Sequence, residues 1–138
     1  MALKITLKPH ERIIIDVAVV KNGNSTAELI IENNVPILRQ KHILSEKDAD
    51  SPCRRIYFVI QLMYIDRHDL KTYHKIYWDL VRDLVEVAPG VLNLIDQISE
   101  HILSTDYYKA LNLAKKLIDY EEEIINGVFE SPASISVC

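Results

Sequence analysis

The chain has 138 residues, 49% of them hydrophobic and 26% charged, with a formal net charge of -4. That supplies enough apolar material for a core without disulfides or metals, and leaves no room for a second large catalytic domain. The charge is uneven: residues 1–50 carry seven Lys/Arg against seven Asp/Glu and the remainder nine against thirteen, so an anionic partner is expected to meet the first part.

Charged or amide side chains interrupt every apolar run well before the roughly 20 residues a bilayer span needs. The start, Met1-Ala2-Leu3-Lys4-Ile5-Thr6, lacks the basic, apolar and small-residue regions of a signal peptide. The expectation is a cytoplasmic protein without membrane contact, in which Cys53 and Cys138 are free thiols.

In chain order, β-branched residues dominate the first part, and four short strands are predicted. Residues 3–7 alternate, with Leu3, Ile5 and Leu7 on one face and Lys4, Thr6 and Lys8 on the other. Pro9-His10-Glu11 turns the chain into a strand over residues 12–20, and Asn22-Gly23-Asn24 supplies hairpin residues before strands over 27–32 and 37–43. Residues 45–50 read as a linker. Ser51-Pro52 then gives an N-cap followed by proline at the first helical position.

A first helix over 52–65 is apolar nearly all round, which predicts a central position. Asp69 can cap a second, with Leu70, Tyr73, Tyr77, Leu80 and Leu84 at helical spacing, ending near Pro89-Gly90. A third carries Leu92, Ile95, Ile98 and Ile102. A fourth, capped by Thr105 or Asp106, carries Tyr107, Ala110, Leu111, Ala114, Leu117, Ile118 and Ile125. The fold class is therefore α+β: a β-rich unit over 1–50, a bundle of about four antiparallel helices over 51–126, and a tail over 127–138. The sheet is too small to stand alone, so packing on a second copy is one expected solution.

Little in the sequence speaks for catalysis. Three glycines leave little material for a phosphate-cradling loop, and none of the five histidines lies four residues from another His or Cys. No enzyme, cofactor or metal site is expected. Asp79, Asp83 and Glu86 share one side of the second helix and read as a solvated face. Glu121-Glu122-Glu123 places carboxylates near a helix end, against the helix dipole, which hints at a partner. The candidates for binding a nucleic acid are Lys4 and Lys8 on one strand face, Arg12 after the turn, and Arg39 and Lys41 on one face of the last strand.

The run Leu7-Lys8-Pro9-His10-Glu11-Arg12-Ile13-Ile14-Ile15-Asp16-Val17-Ala18-Val19, residues 38–44, the run Ser51-Pro52-Cys53-Arg54-Arg55-Ile56-Tyr57-Phe58-Val59-Ile60-Gln61, then Tyr108-Lys109-Ala110-Leu111 and Leu117-Ile118 together resemble the FlbT family of flagellar biosynthesis regulators. The family usually has glycine where this chain has His10, and an Asn-Gly turn where it has Asp16-Val17. The resemblance implies a cytoplasmic regulator that acts after transcription, associating with the 5′ untranslated leader of flagellin mRNA and altering its translation or decay, as repression in some bacteria and activation in others. More faintly, the strands resemble the CsrA family of RNA-binding regulators, whose swapped dimer displays a basic strand edge. Here Arg39 stands four residues before Ile43, where that family's late arginine stands three before an isoleucine, and Leu7 replaces its first-strand arginine.

The resulting expectation is a homodimer that presents Lys4, Lys8, Arg12, Arg39 and Lys41 to RNA and has no DNA partner. The competing expectation is a protein-binding adaptor or chaperone-like factor for flagellin or the companion regulator FlaF, with Tyr107 and Tyr108 as partner contacts.

Overall fold

The computed structural model describes residues 2–125, so the expected tail over 127–138 lies outside the described residues. The chain divides into two compact units between Ile43 and Leu44.

The first unit holds five strands: β1 (Leu3–Leu7), β2 (Arg12–Ile15), β3 (Ala18–Lys21), β4 (Ala27–Ile31) and β5 (Ile37–Arg39). They form two antiparallel sheets, β1–β4 and β3–β2–β5. Ile5 and Leu7, on the inward face of β1, meet Ile13 of β2 in a core flanked by Ile15, Val20, Leu29, Ile31 and Ile37. This is the alternation read from the sequence, except that Leu3, at the strand's start, is exposed.

Two strand expectations are corrected. Residues 12–20 are not one strand, because Asp16 adopts φ 57° and the chain reverses at Asp16-Val17, pairing Ile15 with Ala18 and Arg12 with Lys21. Aspartate tolerates the left-handed region where a β-branched residue resists it, so the positive φ of this two-residue turn falls on Asp16 and not on Val17. Asn22-Gly23-Asn24 is accordingly not a hairpin turn: it carries the chain from β3 in one sheet to β4 in the other. The last strand stops at Arg39, after which Gln40–His42 form a 3-10 turn closed by the Ile43 N–H on the Gln40 carbonyl at 3.1 Å. Arg39 and Lys41 therefore do not share a strand face.

The second unit holds α1 (Pro52–Ile65), α2 (Leu70–Val87), α3 (Leu92–Leu103) and α4 (Tyr107–Ile125). As its apolar circumference predicts, α1 is central, packed against α2 and α4, while α3 packs on α4. Residues 44–50 belong to this unit, and Gln61 supplies one reason. Its buried side-chain amide accepts the Leu44 N–H at 2.8 Å and donates to the Leu44 carbonyl at 2.9 Å, imitating a strand partner.

Ser51 caps α1 by accepting the Arg54 N–H at 3.2 Å, with Pro52 at the first helical position. The acidic run of α4 finds its partner at the same place. Glu121 accepts the Ser51 hydroxyl through Oε1 and the Cys53 N–H at 3.4 Å through Oε2, and Glu122 pairs with Arg54 at 2.9 Å. A carboxylate out of place at the end of its own helix thus lies at the positive end of another. Burial, then the Glu121 carboxylate, pushes the Cys53 thiol up to about 12, so the thiolate does not form at neutral pH.

Between α3 and α4 the expected alternatives both have a role. Thr105, at φ 62°, ends α3: its N–H meets the Ile102 carbonyl at 3.0 Å and the Asp106 N–H meets the His101 carbonyl at 2.8 Å. Asp106 then opens α4, its carboxylate accepting the Lys109 N–H at 3.3 Å. Among the described residues no helix is long and apolar enough to cross a membrane.

Candidate nucleic-acid interface

In the first unit a turn and a strand end face each other across an open depression of about 700 Å³, lined by Lys8, Pro9, His10, Glu11, Arg39, Gln40 and Lys41. Residues 8–11 make one wall. The Glu11 N–H closes the turn on the Lys8 carbonyl at 3.1 Å, and the Lys8 N–H returns a bond to Glu11 Oε1 at 2.9 Å. His10 sits at φ 64°, the position that the family resemblance marks as glycine. Asn22 fixes the turn from below: its side-chain amide donates to the carbonyls of Lys8 at 2.8 Å and Ser25 at 2.9 Å, while the His10 N–H reaches the Gly23 carbonyl at 2.8 Å.

The other wall is the end of β5 and its 3-10 turn. Gln40 Oε1 accepts the Arg12 N–H at 2.6 Å, which ties this turn to the start of β2. Between the walls lies Arg39. Its Nη2 donates to the Thr6 carbonyl at 3.0 Å and to Glu11 Oε2 at 3.2 Å, while its buried Nε has no partner among the described residues. The Lys8 N–H first, and then the Arg39 guanidinium, hold the Glu11 carboxyl below the ordinary carboxylate value, so Glu11 is an anion at neutral pH.

The five cations expected to act together are thus divided. Lys8, Arg39 and Lys41 line the depression. Lys8 and Lys41 are exposed and form no ion pair among the described residues, which leaves their charge open to a ligand. Lys4 lies on β1 and pairs with Glu28 of β4 at 3.3 Å, and Arg12 is exposed outside the lining. Sequence reasoning missed Glu11, His10 and Gln40 as lining residues and Asn22 as the brace. The spacing of Lys8 and Glu11 within one Pro-containing turn was the available signal for the first of these.

In the second unit Tyr107 is 2% exposed; its hydroxyl meets His74 Nε2 at 3.1 Å and Arg67 lies over its ring at 5.0 Å. Of the tyrosine pair only Tyr108 is at the surface, leaning on Tyr64 with ring centroids 5.5 Å apart. Asp79, Asp83 and Glu86 are exposed, and among the described residues no three His, Cys, Asp or Glu gather where they could hold a metal ion.

The unit boundary sharpens the charge division. Residues 1–43 carry six Lys/Arg against four Asp/Glu, a net of +2, and residues 44–138 carry ten against sixteen, a net of -6. Structure and charge together define a small α+β protein with a basic β unit, bearing a cation-lined depression, and an acidic helical unit.

The chain belongs to the FlbT family, whose model, described as flagellar protein FlbT, matches residues 3–125. A protein of Bradyrhizobium diazoefficiens named probable flagellum biosynthesis repressor protein FlbT 1 is 46% identical over 132 residues, covering 95% of this chain and 89% of that protein. A probable flagellum biosynthesis repressor protein FlbT of Rhodopseudomonas palustris is 38% identical, over 91% of this chain and 99% of its own length. The flagellum biosynthesis repressor protein FlbT of Caulobacter vibrioides is 35% identical, over 93% and 92% respectively. No solved structure matches.

Proposed function

We propose that this chain is a cytoplasmic, post-transcriptional regulator of flagellin synthesis that associates with the 5′ untranslated leader of flagellin mRNA and lowers flagellin output. Membership of the family and the repressor names of its relatives support the process and the sign. The observation that carries the RNA contact is the gathering of Lys8, Arg39 and Lys41 about one depression, in a unit of net charge +2. Clustered cations bind phosphates by releasing counterions, and the net negative charge of the other unit keeps that attraction local.

The test is fluorescence anisotropy of labelled flagellin leader RNA at several salt concentrations. Three phosphate contacts predict that log K falls with log salt at a slope of about -2, since each contact on a single strand contributes roughly 0.7. No binding of the leader, with capture of purified flagellin or FlaF instead, would replace this reading by the adaptor. The net charge of -6 on the helical unit and the exposed Tyr108 favour that second reading.

A homodimer is part of the same proposal. Strand β3 is an edge strand, and Val17 just before it and Val19 within it are 60% and 69% exposed, which is the kind of apolar edge a second copy covers. Light scattering gives the mass directly, and a monomer removes the dimer from the proposal.

A further inference from the structure

The depression selects by shape as well as by charge. Its volume of about 700 Å³ falls within the range of roughly 300–1,000 Å³ that takes a single small ligand. An A-form duplex offers a convex surface with its bases stacked inside, whereas a single strand can splay out a base and insert it. The lining suits such a base: it includes Pro9 and His10, and imidazoles stack on nucleobases. Lys8 and Lys41 stand on opposite walls, so a phosphate at the mouth lies between two charges. Arg39 is incompletely satisfied where it rests, with Nε buried and unpartnered, and Glu11 is the anion it must leave to reach another.

We propose that the depression seats one unpaired nucleotide of a single-stranded RNA: Lys8 and Lys41 take its phosphate from the two walls, Pro9 and His10 pack on its base, and Arg39 exchanges Glu11 for the phosphate. This deepens the RNA reading above and rests on it. Glu11 is then a competitor for Arg39 that sets how tightly the seat holds RNA.

The test uses the full chain and three labelled probes: an unstructured RNA of roughly 12 nucleotides, within the length range of single-strand sites, the same strand in a duplex, and the flagellin leader. The single strand is expected to bind about tenfold tighter than the duplex, the difference that one base stack supplies. The double variant Lys8→Ala/Lys41→Ala weakens single-strand binding and flattens the salt slope by about 1.4. Glu11→Gln keeps an acceptor for the Lys8 N–H but releases Arg39, and it tightens binding several-fold. Lys115→Ala on α4 leaves every affinity unchanged, and a thermal melt verifies that each variant is folded.

Equal binding of duplex and single strand overturns the seat. So does leader binding that neither Glu11→Gln nor the lysine pair alters, and in that case the RNA reading stands with its contact elsewhere. Displacement of RNA by a polyglutamate peptide at equal charge concentration shows a general anion patch and also overturns the seat. If no probe binds, both the seat and the RNA reading fall.

Discussion

At His10, Asp16 and Thr105 the backbone is left-handed, with φ of 64°, 57° and 62°. The three positions differ in what they cost. Aspartate tolerates this region, and at His10 the strain sits in the lining of the depression, where the side chain has a proposed use. Thr105 is β-branched and exposed, and it only ends a helix. Replacing Thr105 by glycine removes a conformational cost of roughly 1–2 kcal/mol against a glycine entropy loss of roughly 0.5–1. Thr105→Gly is therefore expected to stabilise the chain by about 0.5–1 kcal/mol, read from a shift in the midpoint of urea denaturation at unchanged slope. Pro9-His10-Glu11 made the turn at His10 legible, whereas residues 12–20 read as one strand and only the family resemblance, with Asn-Gly in place of Asp16-Val17, marked the turn at Asp16. The pairing of Arg39 with Glu11, 28 positions apart, was not legible, because nothing local to either residue specifies that β5 lies beside β2 in the same sheet.

Among the elements, the four helices were readable because each carries a sustained apolar stripe, and two also carry a start signal that works: Ser51-Pro52 opens α1 and Asp106 opens α4, whereas Asp69 makes no capping bond at the start of α2. The strands were harder. Residues 12–20 are β-branched on both sides of a two-residue reversal, so the composition carries no break there, and the candidate face shared by Arg39 and Lys41 was drawn on a strand that ends at Arg39. The link between α1 and α4 was also invisible, although the acidic run pointed to a missing cation or helix start. Glu121→Ala removes the acceptor for the Ser51 hydroxyl and the Cys53 N–H, and should cost about 1–2 kcal/mol. In a double-mutant cycle with Ser51→Ala, a coupling of at least about 0.5 kcal/mol is expected, and additivity would show that the two side chains act separately.

For the molecule as a whole, ionisation sets an alkaline limit. Burial pushes Tyr57 and Tyr77 up to about 12 from an ordinary 10.0, and Cys53 to about 12 from 9.0. In each case the folded chain holds its proton at a pH where the unfolded chain has released it. The resulting stabilisation is complete below the ordinary values and is lost as pH rises through the folded ones. The melting temperature is expected to hold up to pH 9 and to fall steadily toward pH 12, with tyrosinate absorbance rising together with loss of helical circular dichroism. Complete tyrosinate formation, all seven phenols included, before the helices melt would show that Tyr57 and Tyr77 ionise in place.

The cap that α4 lends to α1 also orders events during synthesis. Every strand pairing and every wall of the depression is drawn from the first 43 residues, whereas the start of α1 waits for Glu121 and Glu122. Chains emerge from the ribosome N-terminus first, and local contacts form before distant ones. The groups that line the depression are therefore all available while the helical unit still lacks the carboxylates that close it.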